Sequence, residues 1–168
     1  MKLSHLVLFS MVMSCVLLGC NRPARTASAG FRLTLQEVAT DTNIRVALLT
    51  IHTAHAGTLS VDGEGSHHAV TLANPNAEES HEGSIALIAS RVEPPGDGDI
   101  LIQTLIRPQL PNGSFAGGPS TDRVPRPTRL ADYFTITGKN GDYPLNTPIE
   151  IARLRGKPVT LTVGEPTR

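Results

Sequence analysis

Apolar and polar residues alternate at a period of two along much of the chain, and this alternation restricts it to β-structure. Every second residue is apolar in residues 31–35 and again in 159–163. Successive side chains of a strand point to opposite faces, so this pattern is typical of strands with one solvated face. Residues 44–51, 85–89 and 100–106 are apolar at both parities. These three segments are expected to be central strands or strands covered on both faces.

Turn residues separate these segments and predict an antiparallel arrangement. Turns are indicated at residues 62–65, 94–98 and 139–142, and Asn140-Gly141 in the last of them predicts a β-hairpin. No window has a sustained helical period. We therefore predict an all-β domain of about 7–9 short strands, either an antiparallel β-sandwich or a small barrel. Further short strands are expected at residues 57–61, 68–73, 133–137 and 149–154.

The N-terminal residues carry a different pattern. Lys2 precedes an uninterrupted apolar run at residues 6–18, which is shorter than the roughly 20 residues needed for a membrane-spanning helix. The run ends at Leu17-Leu18-Gly19-Cys20, followed by polar residues. This arrangement resembles the signal peptide and lipobox of bacterial lipoproteins. The alternative is an ordinary secretory signal in which Cys20 occurs by chance.

The resemblance implies export by the Sec pathway and cleavage between Gly19 and Cys20. Cys20 then carries a diacylglycerol on its sulfur and an acyl chain such as palmitate on its nitrogen. Two or three acyl chains make a stable membrane anchor. The same resemblance implies that the domain faces the periplasm or the exterior, and Asn21 favours the outer membrane over the inner membrane.

These patterns divide the chain into three expected parts. Residues 1–19 are the expected signal peptide, residues 20–30 comprise the lipidated cysteine and a flexible tether, and residues 31–168 form one domain. Within that domain, residues 107–129 hold five Pro, three Gly, four Arg and one Asp. We expect this Pro/Gly-rich, basic segment to be a loop, and a loop of this length is usually functional or disordered.

Composition excludes or disfavours several classes of function. Fifteen basic residues balance fifteen acidic ones, so the chain lacks the positive charge of a nucleic-acid-binding protein. Aromatic residues make up 4% of the chain, and nothing indicates a carbohydrate-binding platform. Two cysteines cannot form a disulfide-dense scaffold.

Histidines and acidic residues cluster in one part of the sequence and suggest a possible divalent metal site. Imidazoles and carboxylates suit zinc, copper or nickel, although adjacent histidines on a strand point to opposite faces. The alternative is that these histidines occupy solvated loops and edge strands. Acidic turns at Asp97 and Asp99, with Asp62 and Glu64, are weaker calcium candidates. The candidate metal ligands are His52, His55, His67, His68 and His81.

The basic segment supplies the remaining candidate binding residues, which suit an anionic partner unless the loop is merely solvated. Signatures of catalysis, such as a nucleophile elbow or a phosphate-binding glycine loop, are absent from the sequence, and no catalytic residue is predicted. We therefore expect a non-enzymatic structural or protein-interaction module of the cell envelope, with an unidentified envelope protein as partner. The alternatives are a metal-binding or metal-delivery lipoprotein and, more remotely, an envelope hydrolase. The candidate binding residues are Arg107, Phe115, Arg123, Arg126 and Arg129.

Overall fold

The structure, a computed structural model, describes residues 30–76, 80–92, 98–115 and 117–165. Strands dominate these residues, and the single helix among them has four residues. Within the same ranges there is no helix long and apolar enough to cross a membrane. The elements are β1 (Gly30–Thr40), β2 (Ile44–Thr53), β3 (Thr58–Gly63), β4 (Ser66–Thr71), β5 (Ala73–Asn76), β6 (Ser80–Val92), β7 (Ile100–Pro108), β8 (Ser120–Val124), α1 (Leu130–Tyr133), β9 (Phe134–Ile136), β10 (Gly141–Pro144), β11 (Ile149–Leu154) and β12 (Lys157–Gly164).

The strands form two antiparallel sheets. One has seven strands, in the order β10-β1-β2-β6-β7-β8, with β5 paired to the first residues of β6. The other has five strands, in the order β4-β3-β12-β11-β9. Neither sheet closes on itself within the described residues. The all-β prediction is therefore confirmed, and of its two alternatives the structure has the sandwich.

The core lies between the two sheets and is built by the alternation seen in the sequence. In β7, the even-numbered residues are buried and the odd-numbered residues are half-buried. Burying each large aliphatic or aromatic side chain stabilises the fold by about 1.5–3 kcal/mol. The largest fully buried side chains are Leu33, Leu49, Ile51, Leu59, Ile85, Leu87, Ile100, Ile102, Leu130, Phe134, Ile151 and Leu161.

The structure has more strands than the predicted 7–9 because several are very short. Four of the twelve described strands, β5, β8, β9 and β10, have between three and five residues. Such strands span too few residues to establish a period of two. One of them, β8, lies inside the segment predicted as a loop, residues 107–129, where Val124 pairs with Ile100 and packs against the core.

The hairpin predicted at Asn140-Gly141 is wrong. The strands on either side belong to different sheets, because β9 pairs with β11 and β10 pairs with β1. The segment is instead a connection from one sheet to the other. The side chain of Asn140 helps to hold it, since Asn140 Oδ1 accepts a hydrogen bond of 2.5 Å from the backbone N–H of Leu35 in β1.

Candidate functional site

The outer face of the seven-stranded sheet is apolar at its centre. Six side chains on β2, β6 and β7 alternate with core residues and are partly exposed. None of the six is among the partly buried apolar residues that pack against the described core cluster, so these side chains face away from the core. We call this group the outer apolar face, and its members are Ile44, Val46, Leu48, Ile88, Leu101 and Leu105.

Strand register aligns this face into rows. Val46, Ile88 and Leu105 lie side by side across the three central strands. Thr50 pairs with Ser84 in a neighbouring row, so hydroxyl groups border the apolar rows on that side. The row of Val46, Ile88 and Leu105 has no charged side chain, and an uncharged apolar centre is typical of the buried part of a protein–protein interface.

The outer face of the five-stranded sheet is polar in comparison. Thr58 and Ser60 of β3 and Thr160 and Thr162 of β12 occupy its centre. A sandwich in water normally has polar residues on both outer faces. The two outer faces of this domain therefore differ in polarity, and polarity strongly affects which partners a surface binds.

A cavity of 230 Å³ lies between the sheets, beside β7, β3 and the turn between β11 and β12. Thr104 is the last residue of β7 that pairs with β8, and beyond it no described strand pairs with this edge of β7. Part of the lining is apolar and part is polar. The apolar lining comprises Val61, Ile106, Leu154 and Val159, and the polar side chains are Glu64, Ser66, Thr104, Arg107, Ser120, Asp122 and Arg155.

Two hairpin turns place charged side chains at this inter-sheet cavity. Glu64 and Gly65 have φ values of 46° and 78°, and Arg155 and Gly156 have 52° and 77°. Positive φ at both central residues is typical of the two-residue turns that match strand twist. In these turns Arg155 Nη2 donates to Glu64 Oε2 at 3.2 Å.

Arg155 also reaches Asp122, which is the centre of a small polar cluster. Arg155 Nη2 lies 2.9 Å from Asp122 Oδ2, and its guanidinium lies 5.8 Å from the centre of the Tyr133 ring. The hydroxyl of Tyr133 donates a hydrogen bond to Asp122 Oδ2. Burial, together with this hydrogen bond, raises the pKa of Tyr133. Tyr133 is therefore a neutral donor to Asp122 at physiological pH.

Arg107 is the other cation of the cavity and has fewer partners. Its Nη1 donates to the carbonyl oxygen of Ile106 at 2.9 Å. Its Nε is shielded from solvent and has no hydrogen-bond partner among the described residues. Burial lowers the pKa of Arg107. Nearby, His68 has a buried Nε2 without a described partner, and desolvation, followed by the charge of Arg107, lowers the pKa of His68.

The structure separates the histidines that the sequence groups together. His52 lies on the outer side of the seven-stranded sheet, where its Nδ1 is 3.0 Å from Glu82 Oε1. His67 lies in the other sheet, with its Nδ1 2.6 Å from Asp62 Oδ1.

The other candidate ligands lie elsewhere again. His55 is exposed between β2 and β3, and His81 is in β6 opposite Thr53. Among the described residues, no group of three His, Cys, Asp or Glu side chains is placed to hold a metal ion. Asp97 is outside the described residues. The metal site stays a prediction.

Of the residues predicted to bind an anionic partner, Arg107 lines the inter-sheet cavity. Arg123 on β8, Arg126 and Arg129 are exposed. Phe115 is partly buried and forms an isolated bridge with Gln109. The predicted lipidation and cleavage residues, Cys20 and Gly19, lie outside the described residues.

Sequence reasoning missed the cluster of Asp122, Tyr133 and Arg155. Asp122 and Arg155 are 33 residues apart in the chain. The Arg155-Gly156 pair between two apolar segments does indicate a hairpin tip. Which hairpin tips adjoin one another depends on sheet order, which the local sequence does not encode.

The chain matches no model of a known protein family, no curated protein and no solved structure. Function is therefore inferred from the chemistry of its two distinctive features, the outer apolar face and the inter-sheet cavity.

Proposed function

We propose that this chain is a lipid-anchored protein of the bacterial envelope whose β-sandwich is a non-catalytic protein-interaction module. The outer apolar face carries the proposal. A water-exposed sheet favours polar outward residues, as the five-stranded sheet has, whereas the centre of the seven-stranded sheet presents Val46, Ile88 and Leu105 in one row. Contiguous exposed apolar patches on soluble domains usually mark interaction sites.

The chemistry of the central row of this face specifies the partner as a protein with an uncharged apolar surface. Hydroxyl or amide side chains adjoin the row at Thr50, Ser84, Ser90 and Gln103, and two arginines border the face, Arg107 opposite Ala86 and Arg123 opposite Leu101. These groups suit the polar rim of a protein–protein interface. Surfaces that bind anionic membranes rely on clusters of Lys and Arg instead, and the row of Val46, Ile88 and Leu105 contains neither.

The anchor and the face support each other in this proposal. The expected lipid on Cys20 holds the domain at a membrane, and the tether expected at residues 20–30 lets the domain reach neighbouring proteins. Confinement to a membrane surface raises the effective concentration of the module near an anchored partner. A weak apolar contact then suffices for binding.

Site-specific crosslinking in the native envelope tests the proposed face. A photo-crosslinking amino acid replaces Ile88 at the centre of the outer apolar face, and the matched control replaces Thr162 at the centre of the opposite outer face. We expect a discrete adduct with one other protein from position 88, and we expect Leu105→Lys in the same chain to abolish it. Mass spectrometry then maps the crosslinked peptide to an apolar, uncharged surface of the partner.

Three outcomes of that experiment contradict the proposal. One is an adduct of equal yield from positions 88 and 162, and another is an adduct that persists in Leu105→Lys. The third is an adduct of two copies of this chain, which assigns the face to self-association. Circular dichroism on Leu105→Lys checks that the variant is folded, which we expect because Leu105 is partly exposed outside the core.

A further inference from the structure

The inter-sheet cavity contains charged groups that differ in how far they are neutralised. Glu64 and Asp122 share the guanidinium of Arg155, at 3.2 and 2.9 Å. Asp122 accepts a further hydrogen bond from the hydroxyl of Tyr133. Arg107, in contrast, forms no ion pair with any described residue and makes one hydrogen bond, to the carbonyl of Ile106. Arg107 is therefore a cation of the cavity without an anionic partner among the residues that the structure describes.

The geometry of the guanidinium shows which part of Arg107 is available. Nη1 is occupied by the carbonyl oxygen of Ile106, while Nε is buried without a described acceptor. Nη2 is not shielded in this way and has no bond to a described residue, so it is the donor that a ligand in the cavity can reach. A hydrogen bond from a guanidinium nitrogen to a carboxylate is charge-assisted and stronger than one between neutral groups.

We propose that the inter-sheet cavity is a binding site for a small monocarboxylate with an apolar body, held by Nη2 of Arg107. This site is independent of the outer apolar face and gives the domain a second, small-molecule function.

Charge balance favours a monocarboxylate over a phosphate. The lining contains two arginines and two carboxylates, so the cavity is neutral when empty. A single negative charge at Arg107 pairs one-to-one with the available cation. A phosphate dianion brings a second negative charge close to Glu64 and Asp122, which are themselves negative, and repulsion opposes its binding.

The lining also specifies the body of the ligand. Val61, Ile106, Leu154 and Val159 form an apolar wall, and pockets that combine such walls with a few polar groups bind amphipathic small molecules. A volume of 230 Å³ is about eight water molecules at roughly 30 Å³ each. A carboxylate with a chain of about four to six carbons matches this space.

The test measures the thermal unfolding midpoint of the full chain in non-ionic detergent during titration with hexanoate, butanoate and inorganic phosphate. Sodium chloride at equal ionic strength is the reference. A ligand that binds only the folded protein raises the midpoint as its concentration exceeds the dissociation constant. We expect hexanoate to raise it in a saturating manner and phosphate to behave as sodium chloride does.

Variants assign the effect to Arg107. Arg107→Gln removes the charge and is expected to weaken hexanoate binding about tenfold or more, since a hydrogen bond to a charged group is lost. Arg107→Lys keeps the charge on a shorter side chain without the planar guanidinium, so it is expected to bind hexanoate more weakly than the unchanged chain and more tightly than Arg107→Gln. Arg123→Gln, an exposed arginine on β8, is the matched control and is expected to bind as the unchanged chain does.

Several results overturn the proposal. If hexanoate and butanoate raise the unfolding midpoint no more than sodium chloride does, the cavity holds water only. An equal response to phosphate assigns the site to anions in general. A hexanoate response that is unchanged in both Arg107 variants, whose own midpoints show that they fold, moves the binding elsewhere on the chain.

Discussion

Asp122 accepts hydrogen bonds from two side chains that differ in exposure, and this difference determines how much each contributes. The side chain of Arg155 is 48% exposed, whereas Tyr133 is 4% exposed. Ion pairs in contact with water contribute little because the solvent screens them. A hydrogen bond from a buried hydroxyl to a carboxylate is screened far less.

Replacing Tyr133 by Phe therefore tests the polar cluster at single-residue resolution. We expect Tyr133→Phe to lower the free energy of unfolding by about 1.5 kcal/mol, the low end for a hydrogen bond to a charged group. Arg155→Met is the comparison and is expected to cost no more than about 1 kcal/mol. Urea denaturation of both variants measures the difference. A larger loss in Arg155→Met than in Tyr133→Phe is the contrary result.

His68 makes stability depend on pH. Desolvation, then the charge of Arg107, lowers the pKa of His68 below its usual 6.5. Protons therefore bind His68 more readily in the unfolded chain than in the folded chain. Because of this difference, the free energy of unfolding falls as the pH decreases below about 6.5. We expect His68→Gln to lose part of this decrease in denaturation series between about pH 5 and 7. His55→Gln, which removes an exposed imidazole, is the control. An identical pH dependence in His68→Gln and the unchanged chain contradicts this account.

Among the elements, β3 and β12 approach each other so closely that glycine is required where they meet. A Cβ added to Gly57, next to β3, lies 2.3 Å from the backbone oxygen of Gly164 in β12. A Cβ added to Gly83 in β6 lies 2.6 and 2.9 Å from the tips of Leu72 and Leu59. Leucine tips can rotate away, whereas a backbone carbonyl held in a sheet cannot.

We expect Gly57→Ala to lower the free energy of unfolding by about 1–3 kcal/mol, because the two strands must separate to admit the methyl group. Gly83→Ala is expected to cost less than Gly57→Ala. Gly118→Ala, where the added Cβ meets nothing within 4 Å, is the control with an expected effect near zero. Thermal denaturation ranks the three variants, and a cost in Gly57→Ala equal to that in Gly118→Ala is inconsistent with the close approach.

The elements also show how far local sequence predicts this fold. Segments 44–51 and 100–106 locate β2 and β7 because alternation and apolar content lie in consecutive residues. Pairing between distant strands is a different kind of information. Arg32 in β1 bonds Asp142 in β10, 110 residues further along the chain, and no local pattern connects them. The hairpin expected at Asn140-Gly141 failed for this reason.

The same limit applies to the candidate site. Arg107 is identified from the sequence because residues 107–129 have an unusual composition, but its place in a cavity depends on the packing of two sheets. The sequence predicts the outer apolar face in part, because strands that are apolar at both parities are expected to be covered on both faces. Which side faces the core, and which is left partly exposed, follows only from the sandwich.

At the scale of the whole molecule, the proposed anchor is tested by its cysteine. Cys20→Ser is expected to move the protein from the membrane fraction to the soluble fraction, because each buried methylene of the lost acyl chains contributes about 0.8 kcal/mol. Cys15→Ser is the matched control, since it removes the other thiol of the chain and is expected to leave the protein on the membrane. Fractionation with immunoblotting measures both. Retention of Cys20→Ser on membranes, or release of Cys15→Ser, argues against lipidation at Cys20.

The position of β12 in the five-stranded sheet has a consequence for when the domain can fold. It is the last described strand in sequence, yet it lies between β3 and β11. Until residues 157–164 leave the ribosome, β3 and β11 have no strand between them, and the core lacks Val159, Leu161 and Val163. Under the proposed export through a translocation channel, this order of assembly keeps the domain incompletely folded until residues 157–164 have been synthesised. The last described strand then sets the point after which the domain resists passage through the channel.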